Sequence, residues 1–359
     1  MSGFFYFSEM KNLFTLFFTL ISLSLCAQTE RLKKVDSLID ATIKQDHPGL
    51  GVGIVKDGSI IYERYRGLSN LQHQIPFSEK TRSNIASTAK QFTALMILDL
   101  SLKEKLELND DFRKYIPNLY TTVDAEIKIR HLLNHTSGIP EYVDLMSEEG
   151  PVWWKRVGLD NGDIIELLEK QKMLEFEPGS NYNYSNSNYI ILAEIVAKVT
   201  GNSFTEYSKM FFQSLGMNET SFVERYMGVI PNRANPYSDW GRGEWWETPT
   251  VTKMSGDGFL YTTLRDQLIY EQKLQSNKED LLLKLSQEPI SNSEIKTYGF
   301  GLKLENRLNR KAVHHDGATY GFHSQTIRFP NERLTIFILS NNGNFRSDLM
   351  ADEIAKYFL

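Results

Sequence analysis

Cysteine is almost missing from this chain: one residue, Cys26, stands among 359. A lone thiol excludes an internal disulfide and any metal site that needs several thiolates. Basic residues show no long run, and 40 Lys and Arg stand against 45 Asp and Glu for a net charge of -5, which argues against a nucleic-acid partner. The pattern G-x-S-x-G does not occur, so the nucleophile elbow of the α/β-hydrolases is disfavoured. The apolar run Leu13 to Cys26 falls short of the roughly 20 residues needed to cross a bilayer. With Lys11 before it and the small Ala27 after it, it reads as a secretory signal peptide, and Met10 could serve as the true start. Cleavage after Ala27 is preferred; lipoprotein anchoring at Cys26 would call for a small residue where Leu25 stands. On this reading residues 1–27 are removed, the only cysteine goes with them, and residues 28–359 are exported as the mature domain to the periplasm or medium, with no stable membrane span. What remains is ordinary globular composition, 41% hydrophobic and 12% aromatic, sufficient for a large core.

The stretch Ser83 to Leu98 organises the rest. Phe92, Leu95, Met96 and Leu98 recur at helical spacing, which predicts that Ser87 sits in the first turn of a buried helix, near unpaired backbone N–H groups. Residues three apart share a helix face, so Lys90 can reach the Ser87 hydroxyl. An amine among apolar side chains gives up its proton more readily and can activate a serine. Two other S-x-x-K matches, Ser8 with Lys11 and Ser293 with Lys296, open no apolar helix.

Two further constellations follow. Phe176 to Asn186 carries a Pro-Gly turn and then Tyr184 and Asn186 at the mouth of an apolar helix. A phenol near an ammonium is expected to lose its proton below its free value and to relay protons to a leaving group, while an amide can hold a substrate carbonyl. Val313 to Phe322 ends a strand in Gly317 and Ala318; the glycine permits close approach of a substrate backbone, and the Ala318 and Ser87 N–H groups would form an oxyanion hole. His315 would orient the Tyr184 relay or meet an anionic substrate group. A lone histidine or an isolated Tyr-x-Asn is usually structural, and the order Ser87, Tyr184, His315 is what makes the set persuasive.

The remaining pattern places these groups. Two β-rich runs flank Asp57-Gly58, a hairpin signal. Residues from about Asp160 to Phe222 are mostly helical, with Asn188 to Thr200 stopped by Gly201. Strand-like runs return at Gly299 to Leu302, Ala312 to His315, Ser324 to Phe329 and Leu334 to Ser340, before a last helix, Ser347 to Leu359. The expected fold is α/β (α+β): one antiparallel sheet built from both ends of the chain, with packed helices and a mostly helical insertion over about 105–250.

Taken together, Lys56-Asp57-Gly58, Ser87 to Lys90, His131 to Gly138, Phe176 through Asn186, Leu215-Gly216-Met217 and His315 through Phe322 resemble the serine β-lactamase and penicillin-binding protein superfamily, in its branch near class C β-lactamases and D-peptidases. The resemblance covers nearly all of the mature chain. It implies that Ser87 is the nucleophile, that Lys90 and Tyr184 are general bases and acids, and that Asn186 and His315 position substrate and proton. Many β-lactamases carry Lys-Thr-Gly where His315-Asp316-Gly317 stands; a mostly neutral histidine pulls less on an anion, which counts against efficient β-lactam hydrolysis. No E-x-x-L-N pattern is present, so water activation for deacylation would fall to Tyr184 and Lys90. The expected protein is a monomeric serine hydrolase without metal or cofactor, acting on a D-amino-acid-containing cell-wall peptide, next on a carboxylic ester, and third on a β-lactam. The competing class is a penicillin-binding sensor that acylates and recovers slowly. His131 and His135, four apart, lack a third ligand and are expected to be structural. The tryptophans cluster at Trp153-Trp154 and at Trp240 with Trp245-Trp246, where ordinary packing competes with walling a substrate cleft.

Overall fold

The computed structural model describes residues 27–148, 150, 158–223, 228–248, 253–277, 279–293 and 295–359. The expected signal segment up to Cys26 and the pair Trp153-Trp154 lie outside the described residues. Six antiparallel strands form the main sheet in the order Lys303–Arg307, Arg310–Thr319, Phe322–Phe329, Leu334–Ser340, Leu50–Lys56, Ser59–Arg66. Leu50 pairs with Ser340 and Lys56 with Leu334, so the two ends of the chain meet in mid-sheet. The first hairpin turns at Asp57 and Gly58, whose φ angles of 53° and 79° supply the two left-handed residues that a twisted hairpin favours.

Alternation along Leu50–Lys56 assigns the two faces. Leu50, Val52 and Ile54 point into a core shared with Val35, Ile39, Ala351 and Ile354, contributed by a helix over 27–42 and by the helix Ser347–Lys356. Gly51 and Gly53 lie on the other face, beneath the helix Leu264–Ser276. A Cβ on Gly53 would stand 2.5 Å from Leu268 Cδ2, so this glycine sets how closely helix and sheet approach. Gly53→Ala is therefore expected to cost about 1–3 kcal/mol by overpacking. Urea denaturation should show a lower midpoint with an unchanged slope.

Between the strands lie the helices Lys90–Leu102, Ile129–Leu133, Tyr142–Glu148, Asn161–Glu169, Ser187–Thr200 and Phe204–Ser214. Asp160 and Ser203 open two of them with capping boxes, and Gly201 closes Ser187–Thr200 at φ 72°. Every residue from Lys90 to Leu100 is buried, because this helix lies inside the molecule and packs against Ser187–Thr200. Two local expectations are corrected. Ser87 does not open the α-helix itself but sits in a 3-10 turn, Ala86–Ala89, that leads into it. Gly299 to Leu302 is a turn, not a strand: Tyr298 bridges to Lys303, and the strand begins there. Gly301 has φ 71° and presses on the nucleophile helix so closely that a Cβ would lie 2.5 Å from the Lys90 carbonyl carbon.

Candidate active site

The turn carrying Ser87 is stitched to the sheet from below. The buried Thr88 hydroxyl lies 2.8 Å from Ser324 Oγ, which donates to the Ile85 carbonyl at 2.6 Å. Ala86 stands at φ 46°, and its N–H donates to Asn84 Oδ1 at 2.8 Å. Gly317 comes against the same turn: a Cβ there would lie 2.3 Å from the Ile85 oxygen. The missing side chain at Gly317 thus serves the contact between strand and nucleophile turn. Ala318 follows in the part of that strand beyond its pairing with Lys303–Arg307, which ends at His314, so one edge of the strand is unpaired beside Ser87.

Lys90 is fully buried one helical turn from the nucleophile. Its Nζ donates to Ser87 Oγ at 3.1 Å, to Asn186 Oδ1 at 2.7 Å and to the Asp257 main-chain oxygen at 2.5 Å. The rings of Tyr184 and Tyr189 stand 5.1 and 5.5 Å from it. Burial lowers this amine to about 8, against the opposing pull of Asp257, Glu141 and Asp316. A free amine aimed at a serine hydroxyl is therefore accessible close to neutral pH, which is what a general base for Ser87 requires.

Tyr184 is in hydrogen-bond contact with the same hydroxyl. Burial pushes its phenol above its ordinary range, contrary to the expectation that the neighbouring lysine would lower it. In the resting site Tyr184 holds its proton, and Lys90 is the group that exchanges one. Asn186 contacts both Lys90 and Glu141. Its Oδ1 accepts from Lys90 at 2.7 Å, while its Nδ2 donates to Glu141 Oε1 at 3.1 Å and its main-chain N–H donates to the same carboxylate. The amide thus orients Lys90 and carries a second Nδ2 hydrogen besides the one given to Glu141.

His315 faces the site from the sheet, its ring 6.2 Å from that of Tyr184. Nε2 pairs with the Tyr298 hydroxyl at 3.0 Å and Nδ1 with the Asp316 main-chain oxygen at 2.6 Å. Burial brings this imidazole down to about 3, so it is neutral over the physiological range. Asp316 turns outward to Lys303 Nζ at 2.5 Å, and its carboxyl is lowered to about 2.

The set is held from behind by His131 to Gly138. His135 lies in an aromatic stack, 4.3 Å from the Tyr184 ring and 4.7 Å from that of Tyr298. Its Nδ1 accepts from the Ser185 N–H at 3.2 Å and its carbonyl from the Asn183 N–H at 3.0 Å, which fixes the loop carrying Tyr184. His131 instead accepts from the Lys128 N–H at 3.2 Å in a capping box, so the two histidines do not converge on a shared ligand. The second serine-lysine match stays outside the site: the Ser293 hydroxyl lies 2.6 Å from the Asn134 side-chain amide. Trp240 and Trp246 are 66% and 50% exposed around the short hairpin Tyr237–Ser238 and Trp246–Glu247, so neither is ordinary core packing. That hairpin abuts Gly321, just past the end of the strand that carries His315.

Three residues of the site carry no sequence motif of their own: Glu141, Asp257 and Tyr298. Glu141 contacts Asn186, Asp257 receives Lys90 on its main-chain oxygen, and Tyr298 pairs with His315.

Comparison with known proteins agrees with this fold. The family profile described as Beta-lactamase matches residues 35–357. Penicillin-binding protein 4* of Bacillus subtilis (strain 168) is 30% identical over 325 residues, covering 84% of this chain and 70% of that protein. A D-aminopeptidase of Gluconobacter oxydans (strain 621H) is 26% identical over 302 residues, covering 82% of this chain. The chain spans 56% of that D-aminopeptidase and 62% of Protein flp of Staphylococcus aureus (strain MRSA252), so these relatives are substantially longer. Among solved structures, the octameric penicillin-binding protein homologue from Pyrococcus abyssi superposes with a TM-score of 0.79 at 25% identity, covering 90% of this chain and 76% of that one. The D-amino acid amidase from Ochrobactrum anthropi SV3 superposes with a TM-score of 0.74 over 91% of this chain and 98% of that one, at 20% identity, a likeness of fold.

Proposed function

Because the chain belongs to the beta-lactamase family of serine hydrolases, we propose that it is an exported enzyme that cleaves a small amide, peptide or ester through an acyl-enzyme on Ser87, its favoured substrate a D-amino-acid-containing cell-wall peptide. Lys90 takes the Ser87 proton as the hydroxyl attacks the carbonyl, and Tyr184 carries a proton to the leaving group. The N–H groups of Ser87 and Ala318 stabilise the oxyanion. In the second half the same Lys90 and Tyr184 activate water and return Ser87 to its free form. The observation that carries this reading is the buried Lys90 Nζ at 3.1 Å from Ser87 Oγ. The D-aminopeptidase relative supports a D-amino-acid substrate. The neutral His315 supports placing β-lactams behind peptides and esters. Among the described residues no helix is long and apolar enough to cross a membrane.

The test is intact-protein mass over time after mixing residues 28–359 with a fluorescent penicillin or with p-nitrophenyl acetate. The expected result is a transient adduct with the ester that disappears as p-nitrophenol is released, absent in Ser87→Ala, whose circular dichroism is unchanged. An adduct that persists with both reagents would assign the penicillin-binding sensor role instead. Undiminished turnover by Ser87→Ala would overturn the assignment.

A further inference from the structure

We infer that the protein carries a second small-molecule site, away from Ser87, that takes a dissolved organic anion with an apolar body, its negative group received on the side of Lys284, Lys311 and Arg328. The inference goes beyond the acyl-enzyme reading and does not depend on it.

A cavity is the first ground. About 420 Å³ of space lies between the helix Leu264–Ser276, the short helix Leu281–Leu285 and the strands Arg310–Thr319, Phe322–Phe329 and Leu334–Ser340. That volume falls in the range of sites for small organic molecules. Leu274, Leu283, Phe329 and Leu334 form its apolar wall. An apolar group that enters covers this wall from water, which favours binding in proportion to the area covered.

Charge is the second ground. Lys284, Lys311, Arg328 and Arg333 line the same space, against the carboxylates of Glu271 and Glu288. Glu271 is already taken, both of its oxygens receiving Arg328, and Arg333 Nε meets Asp57 at 3.2 Å. Lys284 and Lys311 are exposed and form no ion pair among the described residues. In a chain of net charge -5, these lysines leave a local excess of positive charge beside an apolar cavity. Buried Arg328 adds directionality. Its Nε and Nη2 are engaged by Glu271 and Gln91, while Nη1 gives one hydrogen to Gln287 Oε1 at 3.0 Å and keeps a second without an acceptor among the described residues. A carboxylate or sulfonate oxygen supplies that acceptor.

The cavity is separate from the acyl cleft. Lys311 and Ala318 stand near opposite ends of the strand Arg310–Thr319, about 23 Å apart at the usual rise per residue. None of the side chains that line the cavity hydrogen-bonds to Ser87 Oγ or to Lys90 Nζ. A ligand held there leaves the nucleophile open to its own substrate.

The test is isothermal titration calorimetry with sodium decanoate and with decyltrimethylammonium, which share an apolar tail and differ in the sign of the charge, both below their micelle concentrations. Wild type is expected to bind one decanoate per chain, roughly tenfold or more tighter than the cation. Lys284→Glu and Lys311→Glu together are expected to abolish that preference while circular dichroism and p-nitrophenyl acetate hydrolysis stay unchanged, because both side chains are exposed and distant from Ser87. The preference is a ratio within one preparation, so a partly unfolded fraction cancels, and the wild-type comparison needs no variant to fold. Absence of saturable decanoate binding by wild type, or a preference that survives both substitutions, would overturn the inference. Decanoate that inhibits p-nitrophenyl acetate hydrolysis equally in wild type and in the double variant would put the anion in the Ser87 cleft and overturn it as well. Co-sedimentation with phosphatidylglycerol vesicles without saturable decanoate binding would make the lysines a membrane contact, again against a site for a dissolved anion.

Discussion

Lys90→Met is expected to lower kcat/KM for p-nitrophenyl ester hydrolysis on the order of 10³-fold while leaving the circular dichroism spectrum intact. The loss should approach that of Ser87→Ala, because nucleophile and base act as one unit and their single removals do not add. Methionine matches the length of the lysine stem and suits the buried setting between Tyr184 and Tyr189. In wild type the rate should rise with pH along a limb near 8, since only the deprotonated amine can accept the serine proton and burial holds Lys90 at about 8. The variant should lack that limb. Stability gives an independent reading of the same group. A lysine held near 8 in the native chain and near 10.5 when unfolded binds fewer protons folded than unfolded between those values. The full cost of burying the charge is present below pH 8 and is relieved as pH rises toward 10.5. Urea denaturation at pH 8 and pH 9.5 should therefore show wild type gaining on Lys90→Met by at most about 2 kcal/mol. A flat difference across that range would place the lysine near its ordinary value and remove it as the base.

The serine and its lysine could be read from sequence because their relation is local: three residues on one helix face, followed by an apolar run. The hairpin at Asp57-Gly58 and the stop at Gly201 were legible for the same reason, since each glycine adopts the left-handed φ its position requires. Tyr184, Asn186 and His315 lie 97 or more residues from Ser87, and only their resemblance to a family pattern joined them to it. Their contacts were beyond reach. That the Asn186 amide also holds Lys90 and meets Glu141, supplied by another loop, could not be seen. Tyr184 reads as a phenol softened by a nearby ammonium, because proximity to Lys90 is legible and the depth of burial that outweighs it is not. Gly299 to Leu302 has the residues of a strand, and it turns because Gly301 must pass the backbone of Lys90 at contact distance. Tyr298 and Asp257 have no motif at all; each became visible as a functional group only when the fold placed it on His315 or Lys90.

The largest effect on stability is expected at the buried pair Glu271 and Arg328, which are 0% and 4% exposed. Arg328 Nε donates to Glu271 Oε2 at 2.7 Å and Nη2 to Oε1 at 2.6 Å, a two-pronged contact between the helix Leu264–Ser276 and the strand Phe322–Phe329. The guanidinium also reaches Gln287 Oε1 at 3.0 Å and Gln91 Oε1 at 2.6 Å, and Gln91 is the residue after the catalytic lysine. Glu271→Leu would leave that guanidinium charged, buried and facing only amide oxygens. Removing one member of such a pair typically costs about 3–5 kcal/mol, much more than the pair contributes against a well-packed apolar replacement. The double variant Glu271→Leu, Arg328→Met should therefore recover a large part of the loss, though not all, because Gln91, Gln287 and Thr326 lose their partner as well. A double-mutant cycle by urea denaturation measures this coupling directly. Catalysis should follow stability here: below its lowered melting temperature the single variant should retain the pH limb near 8, since neither Glu271 nor Arg328 touches Lys90 Nζ. A single variant that loses less than about 1 kcal/mol would mean that water or another anion compensates Arg328, and that the sheet and the nucleophile helix are not joined through it.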